Sequence, residues 1–139
     1  MIVNRRALIR ALAAAPVSAF AAPVASVLAA SPKLAERAVT VYHFVTPGCD
    51  DCQRWDQRHL PRWLNSGEYR RTSYRRIEGK TVEAALDPRR WPAEARPFAG
   101  SLRQTPAFLV MHQGRPVAAA SGEGAWTTII WPAIQRAAA

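Results

Sequence analysis

Val39-Thr40-Val41-Tyr42-His43-Phe44-Val45 runs into Thr46-Pro47-Gly48 and then into Cys49-Asp50-Asp51-Cys52-Gln53-Arg54-Trp55. The first seven residues are apolar or β-branched apart from His43, the pattern of a strand buried on both faces. Pro47 and Gly48 stop that strand. Cys49 and Cys52 then open a helix, and they are the only two cysteines of the chain. Two thiols three positions apart at a helix start can close a small disulfide ring or pass an electron pair to a partner. The rest of the chain reads as scaffolding for that pair.

Working outward, the helix is expected from Asp50 to Asn65, with Trp55, Leu60, Trp63 and Leu64 turned to the core. Pro61 should kink it, because proline removes one helical hydrogen bond. Asn65-Ser66-Gly67 should close it. Tyr69 to Ile77 reads as a second strand, flanked by Arg70, Arg71, Arg75 and Arg76; charges of this kind mark a sheet edge. Thr81 to Leu86 is a short helical turn, and Pro88, Pro92 and Pro97 break the next twenty residues into short helices and loops. Pro106 to His112 is a strand, Gln113-Gly114-Arg115 a turn, and Pro116 to Ser121 the antiparallel partner. A last helix carries the stripe Trp126, Ile129, Ile130, Ala133 and Ile134, with a bend expected at Pro132. The order is strand, helix, strand, helical linker, strand, strand, helix. The first crossover implies a parallel, right-handed connection.

The chain has 139 residues, 49% hydrophobic and 21% charged, which suits one globular domain with a real core. Its net charge is +9, from 19 basic and 10 acidic residues. Residues 1–30 read as an export signal of the twin-arginine type: Asn4-Arg5-Arg6-Ala7-Leu8-Ile9, then an uncharged alanine-rich stretch from 11 to 32 broken by Pro16 and Pro23. Ala19-Phe20-Ala21 and Val27-Leu28-Ala29 offer cleavage sites. Either cleavage or retention as a membrane anchor leaves residues 31–139 outside the cytoplasm, in a bacterial periplasm, where disulfides persist.

The element order, with Cys49-Asp50-Asp51-Cys52 after the first strand and Thr105-Pro106-Ala107-Phe108 at the third, resembles the thioredoxin-fold family. The likeness covers about residues 38 to 137 and implies an α/β fold: a minimal thioredoxin-like four-stranded mixed sheet with helices on both faces. It further implies that Pro106 is cis and packs beside the cysteines, and that Thr105 offers its backbone to an extended substrate chain. A narrower likeness, through Arg54-Trp55-Asp56, Met111, and Gly122-Glu123 ahead of Trp131-Pro132, is to the small periplasmic thioredoxins of bacterial sulfur-oxidation operons. Those keep a sulfur-carrier protein reduced. The chain departs from the family in three places. Gly48 stands where tryptophan usually precedes the first cysteine, Asp50-Asp51 separates the cysteines, and His43 replaces a buried acid.

The resemblance implies a thiol-disulfide oxidoreductase in which Cys49 attacks a protein disulfide and Cys52 resolves the mixed disulfide. A membrane thiol electron donor would restore the dithiol, and no cofactor is required. The helix N-terminus favours a Cys49 thiolate by about 0.3–1 kcal/mol, and by up to ~2 kcal/mol when partly buried. Asp50 and Asp51 each oppose it by on the order of 1 kcal/mol, less once salt and rotation toward water weaken them. The near cancellation predicts a Cys49 pKa only modestly below that of a free thiol, which suits a reductant. In the family register His43 faces the underside of Cys52. It is either a general base for the Cys52 proton or a hydrogen-bonded core histidine. A second class of reading stays open: Cys49 and Cys52 joined by His59 or His112 in a copper or zinc site. Gln53 excludes a haem-attachment motif, which needs histidine there. The arginines fit solvated surface or an acidic partner protein, and no pattern for nucleic acid accompanies them.

Overall fold

A computed structural model describes residues 38–139 of the chain. The signal expected over residues 1–30 lies outside the described residues. Strand β1, Val39–Val45, is buried at all but one position, as its composition demands. It sits inside a four-stranded sheet of order β2-β1-β3-β4, with β2 at Thr72–Glu78, β3 at Ala107–His112 and β4 at Arg115–Ser121. β1 runs parallel to β2 and antiparallel to β3, and β3 pairs antiparallel with β4. The hairpin turns on Gln113 and Gly114, at φ 50° and 75°, the left-handed pair that a tight two-residue turn needs. Pro116 falls on β4, an edge strand, beside the register shift at Val110 and Met111, the kind of place where a sheet tolerates proline.

Side-chain alternation along β1 splits the core in two. Val39, Val41 and His43 face one layer, built with Trp55, Trp63, Phe108, Trp126 and Ile134. Tyr42 and Phe44 face the other, with Trp91, Leu102, Leu109 and Met111. Helices α1 (Asp50–Arg58), α2 (Leu60–Leu64) and α5 (Trp131–Ala137) supply the first layer. Two 3-10 segments, Pro88–Arg90 and Ala93–Ser101, supply much of the second.

Several local expectations are corrected. The helix from Asp50 does not kink at Pro61; it divides at His59 into α1 and α2. The His59 N–H reaches back to the Trp55 carbonyl, and the His59 carbonyl takes the Trp63 N–H, each at 2.8 Å. Pro61, in the first turn of α2, has no N–H to give, so the break costs little there. Leu64 is 42% exposed, because the new helix axis turns it away from the core that Trp63 enters. The second strand begins at Thr72, not Tyr69: Ser66 caps a further helix, α3 (Gly67–Arg71), by accepting the Tyr69 N–H at 3.0 Å. Tyr69 thereby packs edge-on to Trp63.

The last helix also differs. Trp126–Ile130 forms a π turn, in which the Trp131 N–H reaches the Trp126 carbonyl, and α5 follows. The wider turn shifts the helical phase, so Trp126, Ile130, Ala133 and Ile134 are buried while Ile129, expected on the same stripe, is 47% exposed. Past β2, a Cβ on Gly79 would fall 2.1 Å from the Ala85 nitrogen, so only glycine admits α4 (Val82–Ala85) this close. Among the described residues no helix is long and apolar enough to cross a membrane.

Candidate active site

Cys49 and Cys52 are joined as a disulfide at the head of α1, with Cα atoms 5.2 Å apart. Cys49 is the N-cap of the helix: extended backbone brings its Sγ within 3.1 Å of the Cys52 nitrogen. The two sulfurs differ in access. Cys49 is half-buried, whereas Cys52 is 3% exposed. An incoming disulfide can therefore reach Cys49 and not Cys52. Gly48 has φ +71°, left-handed backbone that a tryptophan would adopt only under strain. That turn accounts for the glycine where the family usually has an aromatic residue.

The loop before β3 closes the site from the other side. The Thr105–Pro106 peptide is cis. The Thr105 carbonyl oxygen lies 3.4 Å from Cys49 Sγ and the Thr105 hydroxyl 3.6 Å from it. That hydroxyl also meets the Thr46 hydroxyl at 2.9 Å. Gly122, just after β4, gives its N–H to the Pro106 carbonyl at 2.7 Å. A shallow groove of about 440 Å³ runs between these segments, lined by Thr46 to Asp51, Arg54, Val82, Gln104 and Thr105. Cys49, Cys52, Thr105 and Pro106, which the sequence reading names, thus meet in one place. Thr46 and Gln104 join them without having been singled out. A hydroxyl residue just before Pro47 was the one available hint for Thr46.

His43 is fully buried between the rings of Phe108 and Trp55, 4.5 and 4.3 Å away between centroids. Its Nδ1 shares a 2.7 Å hydrogen bond with the Tyr74 hydroxyl. Burial, reinforced by the positive charge of Arg76, holds its pKa well below the usual histidine value, so the ring is neutral. Its Nε2 has no hydrogen-bond partner among the described residues. Tyr74 is pushed up to about 12, mainly by burial and against the lowering effect of Arg76. Arg76 in turn grips Asp56 of α1 through two bonds of 2.7 and 2.9 Å.

The charges around the sulfurs are not the simple pair of acids that the spacing suggests. Asp51 forms an ion pair with Arg54, one turn on, so much of its field at Cys49 is offset. The other two histidines stand away from the cysteines. His59 Nε2 is bonded to Glu123 at 2.7 Å, and His112 ends β3 opposite Val39, at the far end of the sheet from the disulfide. Among the described residues no group of three or more His, Cys, Asp or Glu side chains gathers as a metal site would require.

No protein-family model matches the chain, and no curated protein matches it by sequence. Solved structures do match. The thioredoxin Mala s 13 of Malassezia sympodialis is 13% identical, over 74% of this chain and 80% of that one, with a TM-score of 0.52. Fasciola hepatica thioredoxin is 16% identical, over 79% and 90%, at 0.51. The reduced periplasmic thioredoxin SoxS of Paracoccus pantotrophus is 23% identical, over 72% and 95%, at 0.50. What links three such distant sequences to this one is a shared backbone plan: the chain has the thioredoxin fold.

Proposed function

We propose that the chain is an exported thiol-disulfide oxidoreductase that reduces disulfides in a partner protein. The observation that carries this reading is the asymmetry of the pair. One sulfur opens to a groove beside Thr105 and Pro106, and the other is sealed one helical turn below. In the dithiol form, Cys49 thiolate attacks one sulfur of the substrate disulfide. That bond breaks, a mixed disulfide forms, and the departing substrate sulfur takes a proton. Cys52 then loses its proton and attacks Cys49 Sγ. The second substrate thiol leaves, and the Cys49–Cys52 bond carries away the two electrons' worth of oxidation. A membrane thiol donor restores the dithiol.

Periplasmic residence rests on the arginine-led, alanine-rich N-terminus, and one structural neighbour is itself a periplasmic thioredoxin. The narrower motif likeness makes a sulfur-carrier protein the candidate substrate. His43 serves as the base for the Cys52 proton, received at Nε2. In support, the ring is neutral and that nitrogen has no other hydrogen-bond partner among the described residues. If His43→Ala slows release of the mixed disulfide no more than a comparable core substitution does, that role falls.

The test is reduction of insulin with dithiothreitol as electron source, read as turbidity. The wild-type chain should accelerate it and Cys49→Ser should abolish the effect. A reduction potential close to that of a strong disulfide-forming oxidant would overturn the reductase direction. Cys52→Ser, which halts exchange at the mixed disulfide, should retain the partner on Cys49 in a periplasmic extract.

A further inference from the structure

The two threonine hydroxyls beside Cys49 form a chain with a direction. The Thr105 hydroxyl lies 3.6 Å from Cys49 Sγ, placed to donate to it. It also lies 2.9 Å from the Thr46 hydroxyl. A hydroxyl has one proton. If Thr105 gives its proton to sulfur, its oxygen must accept from Thr46, so a single arrangement satisfies both contacts. Thr105 is 7% exposed, which shields the chain from competition by solvent. Thr46 directly follows β1 and Thr105 precedes β3, so two separate loops set the spacing.

We propose that Thr46 and Thr105 act as a hydroxyl relay that stabilises the Cys49 thiolate, Thr105 directly and Thr46 by polarising Thr105. Cys49 Sγ then has two donors, the Cys52 N–H at 3.1 Å and the Thr105 hydroxyl. Hydrogen bonds to an ionised acceptor are the strong ones. Three neighbours pull the other way or are already spent. The Thr105 carbonyl, 3.4 Å from the sulfur, turns its negative end to the thiolate. Asp50 carries a like charge, and Asp51 is engaged by Arg54. The relay answers the carbonyl and Asp50, and it moves the Cys49 pKa lower than helix end and carboxylates alone would set it. Thr105 touches the reacting sulfur; Thr46 is a positioning residue. The inference deepens the oxidoreductase reading and rests on it for its purpose, but not for its measurement.

The relay is tested without substrate. In the Cys52→Ser background Cys49 is the sole thiol, and its ionisation is read from the pH dependence of alkylation by iodoacetamide. Thr105→Val should raise the Cys49 pKa by about one to two, the worth of a charged hydrogen bond. Thr105→Ser should restore it. Thr46→Val should raise it by a smaller amount, and Thr46→Ser should not. With Thr105→Val already present, Thr46→Val should add nothing, since its effect passes through Thr105. An unmoved pKa in Thr105→Val, or a Thr46→Val shift that persists in that background, overturns the relay. Should Thr105→Val fail to fold, the half-buried Thr46 variants decide: equal pKa values in Thr46→Val and Thr46→Ser overturn it. Loss of insulin reduction with these shifts intact would defeat the oxidoreductase reading and leave the relay standing.

Discussion

The two faces of the sheet are built on opposite terms. On the α1, α2 and α5 side, Trp63 touches Tyr69, Tyr74, Trp126 and Trp131, with ring centroids 5.3 to 6.0 Å apart. On the other side Trp91 stacks on Phe44 at 4.4 Å and holds its place by donating its indole N–H to the Ala85 carbonyl at 3.0 Å. The first face is held by shape, the second by a polar anchor among short proline-broken segments. The face held by shape also carries His43 and packs beneath the helix that presents the disulfide. Rigidity therefore lies where the sulfurs need a fixed platform.

This contrast yields ordered expectations. The largest effect is truncation of each tryptophan. Trp63→Ala should cost about 5 kcal/mol and Trp91→Ala about 3 kcal/mol, the two ends of the range set by how far a site can collapse. Urea denaturation of both variants reads it; the reverse order would break the comparison.

The next effect is on pH. The pKa of His43 is depressed in the folded chain, so above the unfolded value of about 6.5 its stability contribution is complete. As pH falls below that, the unfolded state takes up the proton first and stability drops, by at most about 1.4 kcal/mol per pH unit. His43→Phe should flatten the urea midpoint between about pH 6.5 and about pH 5. An unchanged slope would place the titration elsewhere.

The finest effect separates shape from anchoring. The Trp63 indole N–H has no partner among the described residues, whereas that of Trp91 does. Trp63→Phe and Trp91→Phe lose similar volume, but only the latter strands a buried carbonyl. Trp91→Phe should be the costlier by about 1 kcal/mol. Equal thermal shifts would deny the anchor.

Legibility in the sequence divides along similar lines. β1, the hairpin and the cysteine pair could be read because composition and spacing act locally, whereas Thr105-Pro106 came from the family resemblance alone. The break at His59, the α3 turn and the exposure of Leu64 and Ile129 could not. In each, one local hydrogen bond or a changed helical phase overrode the periodic pattern: the Ser66 cap against the strand preference of Tyr69, the π turn against the regular stripe. At the site, the hydrogen-bond partner of His43 and the charge beside it required knowledge of Tyr74 and Arg76, which the fold brings across from the neighbouring strand. The Asp51–Arg54 pair lay within reach of sequence, since three-residue spacing on a helix makes such pairs.

The turn from Trp126 to Ile130 holds one residue more than an ordinary helical rung. A one-codon deletion at Thr127 or Thr128, both exposed, would close it to standard helix and bring Trp126 and Ile134 to a seven-residue repeat on the same side. The C-terminal helix thus contains a spare residue. A deletion, usually ruinous beneath a core, can be absorbed at this turn.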